Sequence, residues 1–194
     1  MRTLSFTIVL ALGMFAARAH AESTLSLGPH ALQALITERL FDRAGRWYLI
    51  DQGGVCYTYL ESPHARLESG RLVLDARLTS RLGQRMGGAC LGADFASAVT
   101  LSAALRGSEH RLILDDLRID RIADESTRNA LALAVQLAPD ALPHSASVDA
   151  FEFMRNQLGG GRGAPIMVDQ FRILGVATRT DAIVIRFDLS LSAP

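Results

Sequence analysis

The stretch RLVLDARLTSRL, residues 71–82, decides the fold class. Apolar side chains occupy alternate positions along it: Leu72, Leu74, Ala76, Leu78 and Leu82. The positions between them carry mostly arginine, aspartate and threonine. Because successive side chains of a strand point to opposite faces, this alternation predicts a long antiparallel strand with one dry face and one solvated face.

Four further segments predict long strands with a dry face: residues 95–105, 111–122, 166–176 and 183–191. In 111–122 the alternation changes phase between Leu114 and Leu117. One extra residue near Asp115-Asp116 would produce this change, so we expect a β-bulge there. Bulges bend strands, and a bent sheet can wrap around another element.

Two amphipathic helices accompany the strands. The first is predicted over 29–41, with Pro29 at its start and leucines and isoleucine at helical spacing. The second follows a cap at Asp124 or Ser126. We therefore expect an α+β domain in which a long, curved antiparallel sheet wraps around a main amphipathic helix, with a second helix beside it.

Residues 1–21 have the pattern of a signal peptide. Arg2 is followed by an uncharged apolar run, and Ala19-His20-Ala21 fits the small-x-small cleavage rule. We expect cleavage after Ala21, a single domain over 22–194, and a soluble periplasmic protein. In that oxidising compartment Cys56 and Cys90, the two cysteines of the chain, are expected to form a disulfide.

The sequence contains no motif of catalysis, metal binding or nucleic-acid binding. The net charge is zero and all 20 basic residues are arginines without a basic stripe, which argues against a nucleic-acid partner. The histidines of the predicted mature chain lack ligand spacing, and no serine lies in a G-x-S-x-G motif. We therefore expect that the protein is not an enzyme and that it binds neither a metal ion nor a cofactor. The glycine-rich segment 159–163 is expected to be a loop, in which Arg162 is a weak candidate for an anionic head group.

The dry faces of five strands offer more apolar surface than two helices can cover. This surplus is either ordinary core or the wall of an elongated apolar slot that binds an acyl or isoprenoid chain. The candidate ligand-binding residues face inward by their position in the pattern. They are Leu35, Ile36, Leu74, Leu78, Val99, Leu101, Ile185 and Phe187.

This layout resembles the YceB-like family of bacterial envelope proteins. The resemblance lies in the exported start, the Leu25-Ser26-Leu27 strand before the first helix, the strand 72–82, the paired strands 95–105 and 111–122, and the alternating C-terminal strand. It implies one half of the tubular lipid-binding (TULIP) fold, in which a curved sheet and a long helix form an apolar groove. Family members are commonly lipoproteins, whereas this chain lacks the acylated cysteine, and its cysteine pair is an addition.

Two functions follow as hypotheses. The first is a periplasmic protein that holds or shuttles a lipid or another apolar ligand. The alternative is a non-catalytic envelope accessory protein with a solid core, in transient contact with the membrane or an envelope protein. Its contact surface would be an exposed edge strand or the region 53–64, with Trp47, Tyr48, Tyr57 and Tyr59.

Overall fold

The computed structural model describes residues 21–50, 54–137, 143–153 and 167–192. Antiparallel sheet makes up 66% of the structure, and its strands form two sheets. The larger sheet is strongly curled into a half-barrel. The predicted long antiparallel strands are thus confirmed, and the helices form a smaller part of the fold.

The larger sheet has six antiparallel strands whose spatial order is the order of the chain. These strands are β2 (Arg46–Ile50), β3 (Tyr57–Glu68), β4 (Arg71–Met86), β5 (Ala89–Ser108), β6 (Arg111–Ile122) and β7 (Ala146–Asp149). The concave face carries the alternate apolar residues of β4 and β5, and Leu74 lies opposite Leu101 in the ladder. The alternation along residues 71–82 therefore predicted correctly which face of β4 is buried.

Bulges produce the curl of this sheet. Asp116 has a φ of 52°, and the β5–β6 register shifts beside it, between Ser102 and Ala104. This confirms the bulge predicted near Asp115-Asp116. A second bulge interrupts β3 between Glu61 and His64, where Ser62 has a φ of 54°. Each extra residue increases the local twist and bends its strand.

The smaller sheet has three strands, β1 (Ala21–Leu27), β8 (Met167–Thr178) and β9 (Ile183–Ser192), in the order β1-β9-β8. It contacts the larger sheet at the β5–β6 turn. The N–H of Ile173 donates a 2.5 Å hydrogen bond to the carbonyl of Glu109. Nearby, a Cβ on Gly107 would collide with Cγ2 of Ile173, so only glycine lets β8 approach this closely.

Two helices complete the fold, α1 (Pro29–Arg39) and α2 (Glu125–Leu137). Helix α1 ends two residues earlier than the predicted 29–41, although Phe41 still enters the core. It buries Leu32, Leu35 and Ile36 completely. The amide of Gln33 donates to the carbonyl of Pro63 (2.9 Å) and accepts from the N–H of Ala65 (2.8 Å), so α1 satisfies the backbone beside the β3 bulge.

The predicted disulfide is confirmed: Cys56 and Cys90 are bonded, with their Cα atoms 5.2 Å apart. It joins the start of β3 to the β4–β5 hairpin. The predicted signal peptide lies outside the described residues except for Ala21, which begins β1. None of the helices in the described part of the chain is long and apolar enough to cross a membrane.

Candidate functional site

An apolar groove of about 470 Å³ lies between the end of β6 and α2. We refer to it as the α2 groove. Its lining residues are Ile119, Asp120, Arg121, Ile122, Arg128, Leu131 and Ala132. The volume falls within the range of roughly 300–1,000 Å³ that small-molecule sites occupy.

The groove exists because β7 is short. Pairing between β6 and β7 runs from Arg111 to Leu114, and the N–H of Leu117 then bonds the carbonyl of His144 at 3.0 Å. Beyond this point, residues 118–122 of β6 have no strand neighbour on that edge within the described ranges. Helix α2 lies beside this part of β6, and the space between them is the groove.

A further bulge turns two isoleucines toward the same side. In the β5–β6 ladder Ile119 pairs with Leu101 and Arg121 pairs with Thr100, so Asp120 is an extra residue. Because of this insertion, Ile122 returns to the concave face that Ile119 also occupies. The isoleucines are three positions apart and would lie on opposite faces of a regular strand.

The start of α2 is fixed by hydrogen bonds around Asp124. Its carboxylate accepts from the N–H of Thr127 at 2.7 Å, and its own N–H donates to the hydroxyl of Ser97 at 3.0 Å. The hydroxyl of Ser126 and the groups of Thr127 lower the pKa of Asp124 from 3.8 to about 2. Asp124 therefore stays charged at neutral pH and caps the helix that forms one wall of the groove.

Arg128 gives the groove a cationic rim, since it is exposed and donates one N–H to the carbonyl of Ile122 at 2.9 Å. Arg121 also lines the groove, but it pairs with Thr100 in the ladder, so its side chain leaves the face of β6 opposite to Ile119 and Ile122. A guanidinium presents a planar set of donors that matches a carboxylate or a phosphate. One carboxylate, that of Asp120, also lines the groove. The arrangement suits an apolar chain that ends in an anionic group.

The eight residues predicted to bind a ligand all lie in the hydrophobic core, each at most 5% exposed. They are Leu35, Ile36, Leu74, Leu78, Val99, Leu101, Ile185 and Phe187. A void beside Leu74, Leu101 and Trp47 measures about 10 Å³, which is about the space of one water molecule. An acyl chain in this part of the interior would have to displace side chains.

Two of those eight residues adjoin the α2 groove. Val99 lies opposite Ile122 in the ladder, and Leu101 lies opposite Ile119. The sequence therefore indicated the correct face of β5 but did not identify Ile119 and Ile122, which lie opposite it on β6. The apolar alternation of β6 changes phase a second time between these two isoleucines, and this change was the signal in the sequence that could have identified them.

Reactive side chains are scattered. The described residues include no group of three or more histidine, cysteine, aspartate or glutamate side chains that could hold a metal ion. His110 lies 3.8 Å from Asp149, whose carboxylate also accepts from the N–H of Glu152 at 3.0 Å. Asp149 thus caps the helical turn at 150–153. The candidate loop 159–163 with Arg162 lies outside the described residues.

Comparison of the chain with protein-family models, with curated proteins and with solved structures found no match.

Proposed function

We propose that this protein is an exported, periplasmic binding protein that holds the apolar chain of a lipid or similar amphipathic molecule. The site is the α2 groove. The observation that carries the proposal is the combination of an apolar groove of about 470 Å³ with Arg128 at its rim. This arginine favours a ligand with a carboxylate or phosphate head group.

Burial of the ligand chain supplies the affinity in this proposal. Each methylene group removed from water contributes about 0.8 kcal/mol. Ile119, Ile122 and Leu131 provide the apolar wall. Arg128 adds specificity for the charged end, since exposed ion pairs alone contribute little free energy.

Export and the finer fold belong to the same proposal. A disulfide between Cys56 and Cys90 is consistent with an oxidising compartment outside the cytoplasm. Removal of residues 1–21 by cleavage after Ala21 is part of the proposal and rests on the sequence pattern alone. A curled sheet with a helix beside an apolar groove is compatible with the YceB-like resemblance and with a TULIP-like half. In this proposal α2, rather than α1, forms the ligand-binding groove with the sheet.

Displacement of a fluorescent fatty acid tests the proposal. Ala132 is exposed and lines the groove, so Ala132→Trp fills the groove without removing a core side chain. Asn129→Trp places the same side chain on an exposed position of α2 that does not line the groove. We expect A132W to weaken fatty-acid binding at least tenfold and N129W to bind like the wild type. Equal binding by the two variants, or no binding by the wild type, would overturn the proposal.

The head group can be tested separately. Arg128→Gln should reduce the affinity for a fatty acid but not for the fatty alcohol of the same length, because only the acid carries a charge. Loss of affinity for both ligands would show that Arg128 packs against the chain instead.

The aromatic face of β2–β3 supports the second candidate, an envelope interaction protein. Tyr57 stacks on Tyr59 with centroids 5.6 Å apart, Tyr48 lies 5.4 Å from Tyr59, and Arg46 lies 4.4 Å above the ring of Tyr59. Trp47, grouped with them by sequence, points to the opposite face and lies in the core, because successive strand residues alternate. Tyr59 is also buried, at 9% exposure, so Tyr48 and Tyr57 are the tyrosines of this face that a partner could contact. A partner captured from the envelope by wild type and A132W but lost with Tyr57→Ala would favour this function.

A further inference from the structure

The two edge strands of the six-stranded sheet face one cleft. The sheet runs from β2 at one edge to β7 at the other, and these two strands are not paired with each other. Because the sheet curls into a half-barrel, both edges line a cleft of about 370 Å³. Tyr48 of β2 and Ser147 of β7 are among its lining residues. We refer to this cleft between β2 and β7 as the seam.

The backbone of Ser147 points into the seam rather than toward β6. In an antiparallel ladder, opposed residues alternate between pairs that exchange two backbone hydrogen bonds and pairs that exchange none. The N–H of Ala150 donates to the carbonyl of His110 at 3.1 Å, so the bonded positions of β7 are the even-numbered ones. Ser147 is at an odd position, and its N–H and carbonyl therefore face the open edge.

The backbone of Tyr48 faces the seam for the same reason. The N–H of Arg46 donates to the carbonyl of Arg43 at 3.1 Å, which lies away from β3. Arg46 pairs with Glu61 and Tyr48 with Tyr59 in an unbroken stretch of the ladder, so Arg46 and Tyr48 have the same backbone orientation. Both edges thus present N–H and carbonyl groups to the seam, and neither edge has a further strand partner in the described ranges.

The side chains around the seam are apolar on its inner side and polar on its outer side. Trp47 lies in the core, and Ala146 packs against the core. Tyr48 and Ser147 follow them along the two strands and therefore point to the outer face. An occupant that alternates apolar and polar side chains matches both sides, and this alternation is the pattern of a strand.

We infer that the seam binds an extended segment of a partner protein, which adds a strand between β2 and β7. A strand carries backbone donors and acceptors along both of its edges, so one segment can pair with both open edges at once. An acyl chain has no such groups. The strands β2 and β7 run in opposite directions, because five antiparallel ladders separate them. The segment is therefore antiparallel to one edge and parallel to the other.

Trp47 serves as a natural reporter, because it is the only tryptophan of the chain and it lines the seam. The probes are synthetic peptides that alternate threonine with valine, leucine or phenylalanine and have a lysine at each end. We expect saturable changes in the emission of Trp47 on titration with these peptides. Emission that stays unchanged with all of them overturns the inference.

Methylation of alternate peptide nitrogens tests whether the backbone is recognised. It removes the N–H donors along one edge of the peptide and leaves the side chains as they were. We expect the N-methylated peptides to bind at least tenfold more weakly to the wild type. Equal affinity of the two forms would show that the seam recognises side chains, and the inference would be wrong.

A pair of variants at one position tests the seam from the side of the protein. Ser147→Pro removes the donor that faces the seam and leaves the bonds between β6 and β7 in place, and edge strands tolerate proline. Ser147→Ala removes only the hydroxyl group. We expect S147P to bind the peptides at least tenfold more weakly and S147A to bind like the wild type. Equal affinities of S147P and S147A contradict the inference. Should S147P fail to fold, the N-methylated peptides test the same bonds on the wild type.

Other occupants of the seam give different results. A fatty acid that changes the emission of Trp47, when the peptides do not, would place an acyl chain in the seam. A wild type that elutes as a dimer, which S147P dissociates and which does not bind the peptides, would place a second copy of the chain there. Either result overturns the inference.

The inference goes beyond the α2 groove, and the two sites fail separately. S147P should still bind the fluorescent fatty acid, and A132W should still bind the peptides. Loss of fatty-acid displacement alone therefore removes the α2 groove as a site, and absence of peptide binding alone removes the seam.

Discussion

The carboxylate of Asp124 accepts a 2.7 Å hydrogen bond from the backbone N–H of Thr127, the third residue of α2. This bond satisfies a donor that has no partner inside the helix. Since α2 is one wall of the α2 groove, the cap links the protonation of a single carboxyl to the shape of the candidate site.

Acid should loosen the start of α2. The pKa of Asp124 is lowered from 3.8 to about 2, so its carboxylate stabilises the folded state above the unfolded pKa, and this stabilisation is lost as pH falls toward 2. We expect hydrogen exchange of the Thr127 amide, corrected for its intrinsic pH dependence, to accelerate over that interval. Asp124→Asn keeps an acceptor oxygen without a titrating charge and should show no such transition. A wild-type amide that is equally protected throughout would contradict the prediction.

Removal of the disulfide should destabilise the fold. The Cys56–Cys90 bond closes a loop with a sequence separation of 34. On the chain-entropy model this is worth about 3–4 kcal/mol in the free energy of unfolding. Urea denaturation of C56S/C90S should show a correspondingly lower midpoint, and added reductant should shift the wild type but leave the variant unchanged. Identical midpoints would mean that the bond does not constrain the unfolded chain.

The contact between the two sheets should depend on Gly107. Gly107→Ala places a Cβ against Cγ2 of Ile173, and such overpacking typically costs about 1–3 kcal/mol. Ile173→Leu removes the methyl branch at that point while keeping a similar volume. The double variant G107A/I173L should therefore be more stable than the sum of the single changes predicts. Strict additivity in thermal or urea unfolding would refute the proposed collision.

Gln33 should stabilise β3 from a distance of thirty residues. Its amide bonds the carbonyl of Pro63 and the N–H of Ala65 beside the bulge. Gln33→Ala leaves both backbone groups unpaired, and we expect a loss of about 1–3 kcal/mol in the free energy of unfolding. Thr37→Ala removes only the bond that Gln33 makes along the surface of α1 and serves as the control. Equal effects of the two changes would assign the role of Gln33 to helix α1 alone.

Sequence alone determined the features that depend on neighbours along the chain. The alternation in 71–82 fixed which face of β4 is buried, since side-chain direction in a strand has a period of two. The change of phase between Leu114 and Leu117 located the bulge at Asp116 for the same reason. The even number of cysteines, with the pattern of an export signal, predicted the disulfide.

Tertiary structure alone decided where apolar surface stays uncovered. Leu74, Leu101 and their predicted partners became core because the curled sheet, α1 and the smaller sheet close over them. The α2 groove opened elsewhere, because β7 ends before the end of β6 and Asp120 adds a further bulge to β6. A local pattern predicts which side of a strand is apolar. The helix or strand that covers this side comes from a distant part of the chain. Burial therefore depends on how all the elements pack together, which a local pattern does not contain.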